Sequence, residues 1–168
     1  KYDNENPVFI IDDVFQITGI GLVVSGTMKT GSVSITDKLW LGPFNGKFKQ
    51  VQIKSIHGNI RNPIENITAG YTGSFAIKTI NKKEVIRRNN IKKGMILMVD
   101  PYSVNEFDAE IFILHHPTTI KKDYQSVIHC GNVRQTAKIL DIDKEITRTG
   151  DNAIARFRFL YHLEYITI

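Results

Sequence analysis

The chain has 168 residues, of which 42% are hydrophobic and 23% are charged, as is typical of a folded globular protein and not of a disordered one. Its 22 Lys and Arg residues against 17 Asp and Glu residues give a formal net charge of +5, which suits a polyanionic partner without requiring one. No apolar run approaches the roughly 18 residues of a membrane-spanning helix, so we do not expect membrane insertion. The first residues lack the pattern of a secretory signal, so we do not expect secretion. Cys130 is the single cysteine, which argues against a multi-cysteine metal site.

β-Branched residues dominate the first part of the chain, and no apolar stripe recurs with the period of a helix, so we predict strands. Residues 48–57 alternate polar and apolar side chains, which indicates a strand with one buried and one exposed face. Asn45 and Gly46 predict the hairpin turn before it, because both residues tolerate a positive φ. The other strands predicted in this part cover residues 7–11, 14–18, 19–27, 38–41, 70–80 and 94–99.

A polar segment at residues 81–94 has room for no more than a single helical turn. Asp100–Pro101 then interrupts the strand pattern, because proline cannot donate a hydrogen bond to a sheet. Many short strands with frequent turns are typical of barrels and sandwiches. We therefore predict an all-β fold of two tandem small antiparallel β-barrels, at residues 1–101 and 102–168. The strands predicted in the second barrel cover residues 107–115, 126–130, 133–142 and 152–162.

Several short motifs imitate enzyme sites but lack residues that the chemistry needs. Gly19 and Gly21 begin a dinucleotide-binding pattern, but the third glycine and the following helix are missing, so we interpret them as relieving crowding inside a strand. Gly46–Lys47 lacks the other residues of a phosphate-binding loop. Asp12–Asp13 and His129–Cys130 are adjacent on predicted strands, where neighbouring side chains diverge. We interpret the acidic pair as a polar bend at a strand end, and we disfavour a hydrolase that uses the cysteine.

The first part of the chain resembles the second domain of the translational GTPases, the superfamily of the elongation factors Tu and 1-alpha. In that family an acidic pair with Val-Phe precedes a glycine-rich segment that ends in Val-Val-x-Gly, and here Ile11–Phe15 and Thr18–Gly26 are similar to these two elements. Three further segments of the chain resemble conserved segments of the same family barrel: Val51–His57, Ala69–Gly70 and Lys92–Leu97.

The second part of the chain resembles the third domain of the same superfamily, at Glu106–Ile111 and Thr149–Ala153. Two more specific strings, Leu114–Ile120 and His129–Ala137, resemble the GTP-binding protein 1 and 2 group within that superfamily. The resemblance covers nearly the whole chain. It implies a translation-factor domain II barrel followed by an elongation-factor C-terminal-type barrel.

The resemblance also implies that the chain is the C-terminal part of a longer protein. The GTP-binding domain of the family would precede Lys1, and more strand residues would follow Ile168. We therefore expect an incomplete second barrel with an open edge, whose unpaired backbone groups are hydrated, covered by another chain or exchanged between two copies, so that a dimer is one of the expected outcomes. We expect no enzyme activity, cofactor or metal in this part, and GTP hydrolysis with Mg²⁺ in the missing domain. The implied partners are the missing GTPase domain, tRNA and the ribosome, in the cytoplasm and without a membrane.

The resemblance assigns two sets of RNA-binding residues. The first set would hold the aminoacyl end of tRNA and consists of Asp12, Asp13, His57, Arg61 and Thr72. The second set would contact the RNA backbone and consists of Lys121, Lys122, Tyr124 and Arg134. The basic run at residues 82–93 is a separate phosphate-binding candidate, and His57 stands where many relatives carry an acid. The alternative function is a protein-interaction module that docks the GTPase domain or another partner without binding RNA.

Overall fold

The computed structural model describes residues 5–81, 83–115, 119–131, 133–144 and 148–166. These residues contain strands, turns and one 3-10 turn, and no α-helix lies among them. The chain divides into two units, Lys1–Tyr102 and Ser103–Ile168, each with its own hydrophobic core. The predicted all-β fold of two tandem antiparallel barrels is confirmed, because the first unit contains a closed barrel and the second a curled sheet.

Six strands close the barrel of the first unit. They pair in the order β4-β9-β1-β2-β8-β5, and β5 pairs again with β4 to complete the ring. β6 continues along the edge of β5, and β3 pairs with β7 in a separate two-stranded ribbon. A 3-10 turn, Arg88–Asn90, lies in the polar segment before β9, where a single helical turn is predicted. The strands are β1 (Val8–Ile17), β2 (Gly21–Thr30), β3 (Ser32–Ser34), β4 (Lys38–Phe44), β5 (Lys47–His57), β6 (Pro63–Ile64), β7 (Asn66–Thr68), β8 (Thr72–Thr79) and β9 (Ile96–Met98).

A bulge in the middle of β1 changes which side chains face the barrel interior. Phe9 and Ile11 are fully buried before it, and Val14 is buried after it. The pairing with β2 shifts between Ile11 and Asp13, so the inward position moves from odd-numbered to even-numbered residues. The interpretation of Asp12 and Asp13 as a bend at a strand end is therefore wrong, since both lie inside a ten-residue strand. The extra residue of the bulge lets two adjacent carboxylates face solvent without ending the strand.

A second bulge has the same effect in β5. The predicted alternation holds at Val51 and Ile53, which are buried, but the pairing with β8 shifts between Ile53 and Ser55. Ile56 becomes the next buried residue. Ser55 and His57 therefore face the outside of the barrel, although the undisturbed alternation would have buried them.

Gly19 and Gly21 of the β1–β2 hairpin allow the positive φ angles of the turn. The interpretation that they relieve crowding inside a strand is therefore wrong. Gly19 and Gly21 have φ values of 81° and 104°, and a Cβ atom on either residue would meet no atom within 4 Å. Gly26 in β2, by contrast, is crowded, since a Cβ atom there would overlap the carbonyl oxygen of Ile10 in β1. The close approach of these two strands therefore requires glycine at position 26.

Four strands form the sheet of the second unit, in the order β10-β13-β12-β11 with antiparallel neighbours throughout. One face is apolar and carries Phe107, Ala155 and Phe157. The other face carries charged side chains together with the exposed apolar residues Phe112, Val127 and Ile154. In the described part of the chain β10 and β11 are the edges of this sheet, and the dimer expected at an open edge stays a prediction. Residues 116–118 and Asn132, which belong to the two specific strings, lie outside the described residues. The strands are β10 (Glu106–Phe112), β11 (Gln125–Cys130), β12 (Val133–Ile142) and β13 (Asn152–Phe159).

A buried glutamine side chain organises the chain after β13. The Gln135 amide oxygen accepts hydrogen bonds from the backbone N–H groups of Tyr161 (2.8 Å) and His162 (2.9 Å). Its amide nitrogen donates to the His162 carbonyl (3.0 Å) and to Glu164 Oε1 (2.9 Å). The last strand therefore ends at Phe159 and does not extend to residue 162 as predicted, because a side chain takes the backbone hydrogen bonds that a neighbouring strand would have taken.

Substituting Gly26→Ala is expected to destabilise the first unit by about 1–3 kcal/mol, because the added methyl group must displace backbone of β1. Urea denaturation followed by Trp40 fluorescence measures the change. Ser32→Ala, at an exposed position of β3, serves as the control and should alter stability by less than about 0.5 kcal/mol. Equal stability of Gly26→Ala and the unmodified chain would contradict the close approach of β1 and β2.

Candidate functional site

A cavity of the first unit opens on the outside of the barrel, beside the β1–β2 hairpin. Its volume is about 430 Å³, which lies in the range of small-ligand pockets. Strands β1, β2, β5 and β8, the β1–β2 turn and the loop after β5 all contribute side chains to it. The lining residues are Phe15, Ile17, Ile20, Val23, Ser55, His57, Arg61, Ser74 and Ala76.

One wall of this pocket is apolar and open to solvent. Phe15, Ile17 and Ile20 are 41%, 40% and 43% exposed, respectively. Phe15 and Ile17 point outward because the bulge in β1 gives the inward position to Val14. Adjacent apolar side chains on an outer surface are typical of a binding site, because apolar surface is unfavourable in water and covering it with a partner is favourable.

The opposite side of the pocket carries basic groups. His57 is half-buried at the end of β5, where its backbone pairs with Ser74 and Pro63. Arg61 belongs to a tight turn in which its own N–H donates to the Gly58 carbonyl at 2.9 Å. The φ of Arg61 is 61°, a left-handed conformation that non-glycine residues seldom adopt. Such local strain commonly marks a position that is held for binding.

A lysine lies at the hairpin that borders the pocket. Lys54 is the extra residue of the β5 bulge, and its Nζ donates a hydrogen bond to the carbonyl of Ile20 at 2.9 Å. Because Ile20 itself lines the pocket, this bond fixes a positive charge beside the apolar wall.

Thr72 lies in a neighbouring depression and does not line the pocket of His57 and Arg61. Its Oγ1 is 2.6 Å from Asn59 Oδ1, to which the hydroxyl donates a hydrogen bond. The turn at residues 58–62 separates the two cavities, since Arg61 lines one and Asn59 the other. The second cavity, of about 380 Å³, is neutral and lined largely by amide and hydroxyl groups.

Asp12 and Asp13 lie in a third depression, of about 350 Å³, together with Arg88 and Lys93. Arg88 Nε donates to the Val14 carbonyl at 3.0 Å, so the basic segment is fastened to β1 just beyond the bulge. The structure therefore places His57 and Arg61 in one pocket, Asp12 and Asp13 in a second, and Thr72 in a third. The assignment of all five to RNA binding stays a prediction.

The apolar wall of Phe15, Ile17 and Ile20 is missing from the sequence-based assignment. A signal was present, because the adjacent residues Val14 and Phe15 are both apolar, whereas a strand with a single buried face alternates apolar and polar residues. Reading that signal requires knowledge of where the bulge lies.

In the second unit, Lys121 and Lys122 are exposed in the segment before β11. Lys138 of β12 forms an ion pair of 2.7 Å with Asp123. The hydrogen bond and the charge of Lys138 lower the pKa of Asp123 below its ordinary value, and the charge of Lys122 adds to this effect. The Asp123 carboxylate therefore lies near two lysines, Lys122 and Lys138, and offsets part of their positive charge.

Tyr124 and Arg134 are placed differently from these lysines. Tyr124 packs against the core of the second unit, and its carbonyl accepts a hydrogen bond from the Ile139 N–H at 2.9 Å. Arg134 is exposed on β12 opposite His129, four residues and about 13 Å along the strand from Lys138. The four predicted backbone-contacting residues therefore do not form one cluster, and their role stays a prediction.

The described residues contain neither a candidate metal site nor a candidate membrane-spanning helix. Among the described residues there is no group of three or more His, Cys, Asp or Glu side chains that could hold a metal ion. No helix in the same residues is long and apolar enough to cross a membrane.

Comparison with known proteins identifies relatives along nearly the whole chain. The chain is 44% identical over 170 residues to GTP-binding protein 1 of Xenopus laevis, an alignment that covers 99% of the chain. It is 34% identical over 165 residues to GTP-binding protein 2 of Mus musculus, which covers 95% of the chain. It is 32% identical to elongation factor 1-alpha of Desulfurococcus mucosus, over 88% of the chain. These similarities confirm the resemblance to the translational GTPases and to the GTP-binding protein 1 and 2 group.

The chain spans only part of the length of these relatives. It covers 25% of the Xenopus laevis protein, 26% of the Mus musculus protein and 35% of the archaeal elongation factor. No family model matches the chain.

Replacing Arg61 by Asn is expected to leave the first unit at least as stable as before and to raise its free energy of unfolding by up to about 1 kcal/mol. The reason is that asparagine adopts the left-handed conformation at lower cost than arginine. Urea denaturation measures the effect. Arg87→Asn is the matched control, since Arg87 has an extended backbone with a φ of −106°. A destabilised Arg61→Asn variant, with the control unchanged, would show that the arginine side chain supports the fold.

Carboxyl titration by NMR is expected to give Asp123 a pKa below the ordinary aspartate range, and Lys138→Gln should raise this pKa towards it. A carboxylate with a depressed pKa in the folded state stabilises the fold above its unfolded pKa, and the stabilisation is lost as the pH falls through the folded pKa. The Lys138→Gln variant should therefore lose less stability on acidification. Arg156→Gln, which removes the partner of Asp108, is the control and should leave Asp123 unchanged.

Proposed function

Because this chain is homologous to a segment of the elongation-factor-like GTP-binding proteins, we propose that it supplies the paired barrels of such a protein and that its first barrel holds the 3′ end of a tRNA. The observation that carries this proposal is the pocket with an apolar wall on one side and His57 and Arg61 on the other. Unstacked bases at RNA ends pack on apolar and aromatic side chains, and arginine and histidine bind the adjoining ribose and phosphate.

The rest of the RNA backbone would be bound by exposed cations. Lys121, Lys122 and Lys138 supply them in the second unit. The basic segment before β9 supplies Arg87, Arg88, Lys92 and Lys93 in the first, whereas Lys82 lies outside the described residues. Such contacts are independent of sequence and weaken as salt rises, because binding releases counterions from the phosphates.

The proposal assigns GTP and Mg²⁺ to another domain of the whole protein. The relatives named GTP-binding proteins are about four times longer than this chain, and GTP hydrolysis is proposed for the part of the whole protein that this chain does not contain. The present chain then acts without enzymatic activity of its own, in the cytoplasm, with tRNA and the ribosome as partners.

A second candidate function is favoured by the exposure of Phe15, Ile17 and Ile20. An apolar surface of this kind also suits the docking of a folded domain, and the GTP-binding domain of the whole protein is the natural occupant. In this case the pocket would be covered by protein and His57 and Arg61 would form polar contacts at the rim of the interface.

We expect a fluorescently labelled tRNA to bind the chain with an affinity that falls as salt rises. Lys121→Gln and Lys122→Gln should each reduce the slope of log affinity against log salt by roughly one, because each removes one phosphate contact. Arg61→Asn should weaken binding about tenfold at low salt, as expected for a lost charge-assisted hydrogen bond, and should also reduce the slope by roughly one, because it removes a phosphate contact. Anisotropy titrations at several salt concentrations measure both quantities.

The control variant for this experiment is Lys78→Gln. Lys78 is an exposed cation on β8, four residues or about 13 Å along the strand from Ser74 of the pocket. Its substitution should alter neither the affinity nor the slope. An affinity that is independent of salt would remove these cations from the proposal. No tRNA binding would reject RNA binding and leave domain docking as the function of the pocket.

A further inference from the structure

The end of the β1–β2 hairpin overhangs the rest of the barrel sheet. The pairing between β1 and β2 continues as far as Ile17 and Gly21. The pairing of β2 with β8 begins only at Leu22 and Ile77, and β9 pairs with β1 only at residues 8–10. Within the described residues, the hairpin end therefore has no neighbouring strand, and the sheet alone does not determine where it lies.

One hydrogen bond ties the turn of this hairpin to a more distant strand. Lys54 of β5 donates from its Nζ atom to the carbonyl of Ile20 at 2.9 Å. Because β8 lies between β2 and β5 in the sheet, this bond spans the outer side of β8. In the part of the chain that the structure describes, no other hydrogen bond joins turn residues 18–20 to a strand outside the hairpin.

The bulge in β5 supplies the lysine for this contact. The pairing with β8 shifts between Ile53 and Ser55, so Lys54 is the extra residue and has no partner across the ladder. Its side chain is exposed, whereas Ile53 and Ile56 fill the barrel interior. The same bulge that turns Ser55 and His57 towards the pocket thus places an unpaired lysine beside them on the outer side of the barrel.

Two glycines make the position of Ile20 depend on this bond. Gly19 and Gly21 flank Ile20, both with positive φ, and glycine is the residue with the greatest backbone freedom. Ile20 is 43% exposed, so packing holds only part of its side chain. Its own N–H donates to the Ile17 carbonyl at 3.1 Å, a bond within the hairpin that does not fix the hairpin against the sheet. The bond from Lys54 is the one that does.

We propose that Lys54 is a positioning residue of the pocket. By holding the Ile20 carbonyl it folds the hairpin end over β8, and this places the apolar wall opposite Ser55 and His57. The inference rests on the proposed binding of an RNA end, for which this wall is the surface that a base packs against. The ammonium group is directed at the carbonyl, so Lys54 acts through the hairpin and not as a phosphate contact.

Amide hydrogen exchange of the 168-residue chain, followed by NMR without RNA, measures how firmly the hairpin end is held. Lys54→Met keeps an unbranched side chain but removes the donor, and it should speed exchange of the Ile20 amide about fivefold, as expected for the loss of one hydrogen bond. Lys54→Arg keeps a donor and should keep the original rate. Unchanged exchange in Lys54→Met would overturn the inference.

The matched control for this measurement is Lys49→Met. Lys49 lies on the same strand and also donates to a backbone carbonyl, that of Val85 at 3.4 Å. It lies five residues or about 17 Å along β5 from Lys54, and Val85 does not line the pocket. Its substitution should leave both the exchange of the Ile20 amide and the affinity for tRNA unchanged.

Anisotropy titrations with labelled tRNA at several salt concentrations separate positioning from charge. Lys54→Met should weaken binding about fivefold at every salt concentration and leave the slope of log affinity against log salt unchanged, and Lys54→Arg should restore the affinity. A slope reduced by roughly one would show that Lys54 contacts a phosphate and would reject the positioning role. An unchanged affinity despite faster exchange would reject it as well, because the placement of the wall would then not matter for binding.

A double substitution locates the effect at the wall. Ile20→Ala keeps the carbonyl that Lys54 binds but removes apolar surface, so it should weaken binding by itself. Lys54→Met should add little further loss in this background, because both changes act through the same wall. Fully additive losses would show that Lys54 acts elsewhere and would overturn the inference.

The two kinds of measurement also distinguish this inference from the proposed function. If no tRNA binds the unmodified chain, the proposed function is rejected and the exchange data alone decide the role of Lys54. Faster exchange in Lys54→Met would then support Lys54 as the residue that positions the wall, and unchanged exchange would reject that role together with RNA binding.

Discussion

The closure of six strands into a ring is the constraint on which the first unit depends. A ring this small forces the long strands to bend, and the bending occurs at bulges in β1 and β5. Each bulge reverses the alternation of the strand beyond it. As a result Phe15 and Ile17 of β1 and His57 of β5 turn to the outside, where they form the two sides of one pocket. The candidate site is thus a direct consequence of how the barrel closes.

The parts of the fold that follow a regular period were predictable from the sequence. The β4–β5 hairpin forms around Asn45 and Gly46 with positive φ at both residues, as the sequence predicts, and β10 alternates as expected. The strands of two or three residues, such as β6, are too short to show a period. The bulges were not predictable, since an inserted residue looks the same as a continuing strand, and for this reason the apolar wall of the pocket was missed. The resemblance assigned His57, Arg61 and Thr72 to one set, whereas in the structure the first two line one pocket and a single turn places Thr72 in another cavity.

Two features that weaken the first unit occur at the same place. Arg61 adopts a left-handed backbone, and the neighbouring wall exposes Phe15, Ile17 and Ile20 to water. Elsewhere in the described barrel the buried positions are filled by aliphatic and aromatic side chains in ordinary pairing. Thr36 also has a left-handed φ, of 78°, and Tyr71 is also exposed, and neither lines this pocket. What the pocket combines is one left-handed residue and an exposed apolar wall, and its use for binding stays a proposal.

The side chain of Gln135 also limits which residues the second unit can accept at that position. Its amide group accepts two hydrogen bonds through oxygen and donates two through nitrogen, one of them to the buried Glu164. Glutamate has nearly the same shape but lacks the donors, and it would place a second negative charge against Glu164. Leucine and methionine would fill the volume but leave the backbone groups of Tyr161 and His162 unpaired. Across related sequences, positions 135 and 164 should therefore change together or not at all.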